Sequence, residues 1–237
     1  MMTSRSPVRW ILMATSTVLM STCGFSGYDS LADASVCDAR ATTFTVDIDN
    51  RFFPLPAGHR VVLEGEEGGG HLLVRITALE ETETVAGVET RVVEEYEAKS
   101  GRVIEISRNF FAQAQDGTVC YFGEDVDIYD GAGNITSHLG AWRAGQGDNR
   151  PGIFMPSSLQ VGQAFQQEIA PGIAEDQAKV IALGEATDVP AGTFDDTVTM
   201  RDGSPLDGST GEKVYARDIG LIVDGPARLT KYSSPDA

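Results

Sequence analysis

Basic residues are scarce. Eighteen Lys and Arg stand against 35 Asp and Glu in 237 residues, a formal charge of −17. A surface of that sign repels phosphate, so nucleic acid is excluded as a partner. Catalytic signatures are missing as well. No Gly-x-Ser-x-Gly elbow occurs, which argues against an α/β-hydrolase nucleophile. No Cys-x-x-Cys, His-Glu-x-x-His or Walker loop occurs, and no Gly-x-Gly-x-x-Gly opens a helix after a strand. No cofactor and no metal is therefore expected. Long helical periodicity is absent; the best helix candidate is the short stretch Ile173–Ala178, which also reads as strand. Hydrophobic residues make up 41% and charged residues 22%. That is globular content, and the length fits one domain or at most two small ones.

The N-terminus reads as an address. Arg5 and Arg9 precede an 11-residue apolar run, Trp10 to Met20. A positive flank, a short apolar run and small residues after it form a secretory signal peptide, expected over residues 1–22. The run is shorter than the roughly 20 apolar residues a membrane span needs. Leu19-Met-Ser-Thr-Cys23 resembles the lipobox of bacterial lipoproteins, with Met20 and Thr22 where that pattern prefers Leu and a small Gly or Ala. Cys23 is thus the candidate lipidation site, and the competing reading is a plain cut within 28–37. Membrane contact is expected only through this anchor. Losing Arg5 and Arg9 while keeping all 35 acids leaves the mature chain at −19. Setting Cys23 aside leaves Cys37 and Cys120, an even pair in an oxidising compartment. A bridge between them would close a loop of roughly 80 residues and contribute about 4 kcal/mol. Two separate buried thiols are the alternative.

After a linker expected over 23–42, period-two runs recur to the end of a single β domain at 43–232. Phe44, Val46 and Ile48 alternate with Thr43, Thr45 and Asp47; Arg91, Val93 and Glu95 alternate with Thr90, Val92, Glu94 and Tyr96. Turn chemistry separates such runs, as at Glu67-Gly-Gly-Gly70, Val85-Ala-Gly87, Ser100-Gly101 and Asp116-Gly117. The pattern predicts an all-β fold, an antiparallel meander closed as a barrel, half-barrel or sandwich. One break stands out: Gly145–Ser158, 14 residues read as a long loop, a length that is usually functional or disordered.

Several islands in this region look familiar together. They are Asn50-Arg-Phe-Phe-Pro-Leu-Pro-Ala-Gly58, Tyr121-Phe-Gly-Glu-Asp125, Pro151-Gly-Ile-Phe-Met-Pro156, Gln167-Glu168, Ala174-Glu-Asp176, Pro190 to Asp196, and Tyr215-Ala-Arg-Asp-Ile-Gly-Leu221. In this order they resemble a broad group of bacterial exported proteins and lipoproteins, loosely TapB-like, over about residues 44–224. Arg217-Asp-Ile219 replaces the Pro-Gly-Val of that group's closing motif, and Leu63 replaces an aromatic in its opening one. The resemblance implies export and an antiparallel β fold, and it supplies no activity.

Candidate chemistry rests on few residues. The acids of Glu124 to Asp130 invite a calcium reading, but Thr136 stands where an EF-hand needs Glu; a solvated strand face carrying Asp125, Asp127 and Tyr129 explains them better. His59, His71 and His138 are the only histidines. The turn at Glu66–Gly69 places His71 opposite about Glu64 rather than near His59. Glu124, Asp125, Glu168 and Asp176 are the catalytic candidates, since two carboxylates in one cleft split their pKa values into acid and base. Trp142, Phe154 and Met155 are the apolar contacts expected beside the Gly145–Ser158 loop. The leading expectation is an exported β-domain that binds a small or apolar ligand; the alternative is an extracytoplasmic carboxylate-based hydrolase or lyase acting on a saccharide.

Overall fold

A computed structural model describes residues 25–235. The signal segment and Cys23 lie outside the described residues. β1 (Phe44–Thr45) and β2 (Arg60–Glu67) lead into four long strands, β3 (Gly70–Val85), β4 (Val88–Lys99), β5 (Arg102–Ala114) and β6 (Val119–Tyr129). Short pieces follow: β7 (Ile135–Ser137), β8 (Trp142–Arg143), β9 (Arg150–Met155), β10 (Ala164–Gln166) and β11 (Glu168–Ile169). The chain ends with β12 (Gln177–Val189), β13 (Gly192–Ser204), β14 (Ser209–Ala216), β15 (Gly220–Asp224) and β16 (Ala227–Ser233). All described pairings are antiparallel, and the sixteen strands form one nearly closed barrel. The all-β expectation holds.

The barrel closes through a single stretch. β10 pairs with β12, while β11, one residue further on, pairs with β9 at the other end of the sheet. Gln167 sits at the changeover, where its N–H and that of Glu168 both donate to the Asp176 carbonyl, at 2.8 and 3.2 Å. The fold thereby satisfies the edge groups that an open sheet leaves bare.

Aromatic side chains fill the interior. Phe53 packs on Phe111, Phe154 and Tyr215, and Tyr121 stacks on Phe111 at 4.7 Å with Trp142 edge-on at 5.4 Å. Phe53 arrives from the Asn50–Gly58 island, which turns into the barrel as a plug. Asn50 holds the plug by donating to the Gly117 and Pro156 carbonyls and accepting from the Phe52 N–H.

Three expectations need correction. The break at Gly145–Ser158 contains β9, a barrel strand; its Pro151 and Gly152 disguised it as loop. Gly152 is required there because a Cβ would run into the Gln167 carbonyl oxygen on the neighbouring strand. The helix candidate at Ile173–Ala178 is a turn closed by an Ala170–Ala174 bridge, followed by the start of β12. The stretch expected as linker packs against the barrel: Phe25 N–H bonds Gly208 O, Ala32 N–H bonds Ala164 O, and a 3-10 turn spans Ala34–Cys37, leading to Phe44, which pairs with Ala114 as the strand pattern predicts. It is a strap that crosses the closure from outside.

Phe154 and Met155, 5% and 0% exposed, belong to the core. Phe154→Ala is therefore expected to destabilise by about 3–5 kcal/mol, the range for removing a buried aromatic ring. Denaturant unfolding measures it; a loss below about 1 kcal/mol would show that the ring does not support the core.

Candidate functional site

β6 sorts the predicted acids. Tyr121 points inward and Phe122 outward, as strand alternation requires. The register between β5 and β6 slips between Asn109 and Phe111, a bulge centred on Phe122 and Gly123. Gly123 has a φ of 129°, and any side chain there would strike the Trp142 carbonyl. The bulge brings Glu124 back inward beside Asn109 and turns Asp125 out. Outside, Asp125 accepts two bonds from Arg143, the shorter 2.6 Å; Arg143 also reaches Glu83 and lies over the Phe110 ring at 4.4 Å. Asp125 is thus separated from the other three acids by the barrel wall.

Glu124, Glu168 and Asp176 lie inside, each at most 6% exposed. The Trp142 indole N–H donates to Glu168 Oε1 at 3.3 Å. Glu168 and Asp176 line a cavity of about 10 Å³ with Tyr121, Phe154, Gln167, Asp202 and Lys213. That volume admits about one water; no sugar ring fits.

The interior also carries an ionic cluster that no sequence motif marks. Lys213 Nζ on β14 sits 3.1 Å from Asp202 Oδ2 on β13 and 4.0 Å from Asp224 Oδ2 on β15. Glu95, on β4, is buried nearby and interacts electrostatically with both Lys213 and Asp224. Burial raises the Asp224 carboxyl to about 6, against the pull of Lys213. Burial likewise raises Glu97 to about 7, raises Asp202, and pushes Glu95 well above the carboxylate range with Glu97 adding repulsion. For Lys213, burial works to lower the pKa, but Asp224, Asp202, Tyr215 and Glu95 together outweigh it and hold the ammonium well above its usual value.

The histidines stay apart. Burial lowers the His59 pKa, and the ring meets Ile219 O at 2.9 Å. His71 pairs in register with Glu66, two residues from the expected partner, although its ring still approaches Glu64 at 3.8 Å. His138 lies 2.9 Å from Asp127. Among the described residues no three metal-ligating side chains gather.

A large cleft lies on the outer wall. Cys37, on the strap, is bonded to Cys120, and both sulfurs are fully buried. The strap also packs Phe44 edge-on against Phe122 at 5.3 Å. Between strap and wall is a cleft of about 650 Å³. Leu31, Ala34, Phe122 and Ile169 give it apolar surface; Arg40 and Arg150 bring positive charge, and Asp33 and Asp38 bring negative charge. Arg40 is tied to Asp38 at 2.7 Å, whereas Arg150, exposed at the start of β9, makes no ion pair among the described residues. The loop expected to carry the site contributes Gly145, Asn149, Arg150 and Pro151 to this cleft, but Trp142, Phe154 and Met155 face the opposite side of the wall. The strap residues had no sequence signal beyond small residues around Cys37.

Compared with known proteins, the chain matches no family model, no curated protein and no solved structure.

The buried acids set the pH dependence of stability. Their folded pKa values lie above the unfolded ones, so the folded state binds more protons and stability falls as pH rises through about 4 to 7. For Asp224, rising from 3.8 to about 6, moving from about pH 5 to pH 8 removes on the order of 1 kcal/mol, or a few degrees of Tm. Glu97 and Glu95 add to it with the same sign. Thermal melts should give the higher Tm at about pH 5; a higher Tm at pH 8 would contradict the assignment.

Proposed function

We propose that this chain is an exported β-barrel protein that binds a small molecule in the cleft beneath the strap. The observation that carries the reading is the cleft itself. Its volume, about 650 Å³, lies inside the range of roughly 300–1,000 Å³ typical of small-molecule sites. The interior cavity beside Lys213 holds only about 10 Å³, so the barrel acts here as a rigid wall rather than a container. Apolar surface from Leu31, Phe122 and Ile169 beside the Arg150 guanidinium suits a ligand with an apolar body and one anionic group. In a chain of net charge −17, an unpaired cation at such a site favours an anion that the remaining surface repels. Export is supported by the signal-like N-terminus, the resemblance to exported proteins and the Cys37–Cys120 bond.

The test uses anilinonaphthalene sulfonate, an apolar dye with one sulfonate, titrated into the folded protein. Saturable binding to one site is expected, and Arg150→Glu should weaken it about tenfold, equivalent to 1.4 kcal/mol, with Tm unchanged. No saturable binding, or equal binding by the variant, would count against the cleft.

A further inference from the structure

We propose that the Lys213 and Asp202 side chains condense into an intramolecular amide, an isopeptide bond joining β14 to β13. The two groups are held in reacting range, with Nζ 3.1 Å from Oδ2, by adjacent strands of the barrel. Their side chains are 6% and 4% exposed, so bulk water does not compete for either. Asp202 pairs across the ladder with Gly211, which puts no side chain of its own beside the carboxylate. Asp202 Oδ1 has no hydrogen-bond partner among the described residues. Asp224 stands on the other flank of Lys213, 4.0 Å from the nitrogen.

The reaction needs no co-reactant. Lys213 Nζ passes a proton to the Asp202 carboxylate across their contact, converting an ion pair into a neutral amine and a neutral acid. The ion pair is the resting state, and the neutral amine and acid, within reach because bulk water solvates neither charge, are the minor form from which the reaction proceeds. The amine lone pair attacks Asp202 Cγ and forms the C–N bond. Asp224 takes a second proton from the nitrogen and delivers it to the departing hydroxyl as the C–O bond breaks. One ammonium and one carboxylate become one amide and one water. Fixed geometry supplies the proximity that makes such a condensation effectively unimolecular. The released water has a place to go: the cavity of about 10 Å³ lined by both Asp202 and Lys213, large enough for one molecule. Burial holds Asp224 near a pKa of 6, which suits a proton relay at neutral pH.

Peptide mapping of the purified, reduced protein tests this. Arg201 directly precedes Asp202, so trypsin cuts an unlinked chain into a peptide ending at Lys213. A linked chain resists cleavage after Lys213 and yields residues 202–217 as one peptide, lighter by about 18 Da, one water. That product, absent from Lys213→Arg and much reduced in Asp224→Asn, is the expected result. Full mass with normal cleavage after Lys213 overturns the proposal. The same mass loss with cleavage retained also overturns it, since a succinimide at Asp202-Gly203 or Asp207-Gly208 would then be the modification. The wild-type digest decides even if a variant fails to fold.

Discussion

Residues 164–169 hydrogen-bond to β12 with their first half and to β9 with their second. Without that double pairing the sheet keeps two open edges, each a row of unpaired N–H and C=O groups. Much else follows from it. Gln167 and Glu168 turn at the changeover, which brings Glu168 and Asp176 into the interior. Gly152 has to be glycine because the β9 backbone passes the Gln167 carbonyl too closely for a Cβ. The strap then splints the same seam from outside, bonded to β10 through Ala32 and to β6 through Cys37–Cys120. The bonded cysteines are 83 residues apart, a separation at which a crosslink contributes about 4 kcal/mol through the unfolded chain.

Closing the barrel on a full interior decides where function can reside. Aromatic rings from β5, β6, β9 and the Asn50–Gly58 plug meet inside the barrel at centroid distances of 4.5–5.8 Å. The carboxylates that share this interior are buried around one lysine. They are neutralised by proton uptake and by Lys213 rather than by solvent. Such groups are poor candidates for turning over an external polymer, which cannot reach them. The outer cleft combines apolar surface with what the interior lacks, room and an exposed cation.

Much of the fold was legible because strand alternation is a local signal. The run Thr90–Tyr96, inside β4, carries it in plain form, whereas only Phe44–Thr45 of the Thr43–Ile48 run pairs as strand. β9 was hidden for a physical reason: Pro151 and Gly152 mark loops by default, and only the approach of Gln167 explains them inside a strand. The acids were half legible. Glu124 and Asp125 are neighbours in sequence, and nothing local reveals that a bulge at Gly123 sends one inward and the other to Arg143. Lys213 was invisible as a site residue, since its partners Asp202, Asp224 and Glu95 come from three other strands. The strap read as linker because small residues carry no periodicity, although its packing depends on Cys37 and Phe44.

The central claim is that the strap and the barrel are separable: a nearly closed, filled barrel, with a cleft that exists only while the strap is bonded to its outer wall. Hydrogen exchange on the wild type and on Cys37→Ser/Cys120→Ser tests this most directly. The account predicts that amides of residues 31–40 lose protection in the double variant while those of β4, β5 and β13 keep theirs. Equal protection of the strap in both proteins, or loss of protection throughout the barrel, would contradict it.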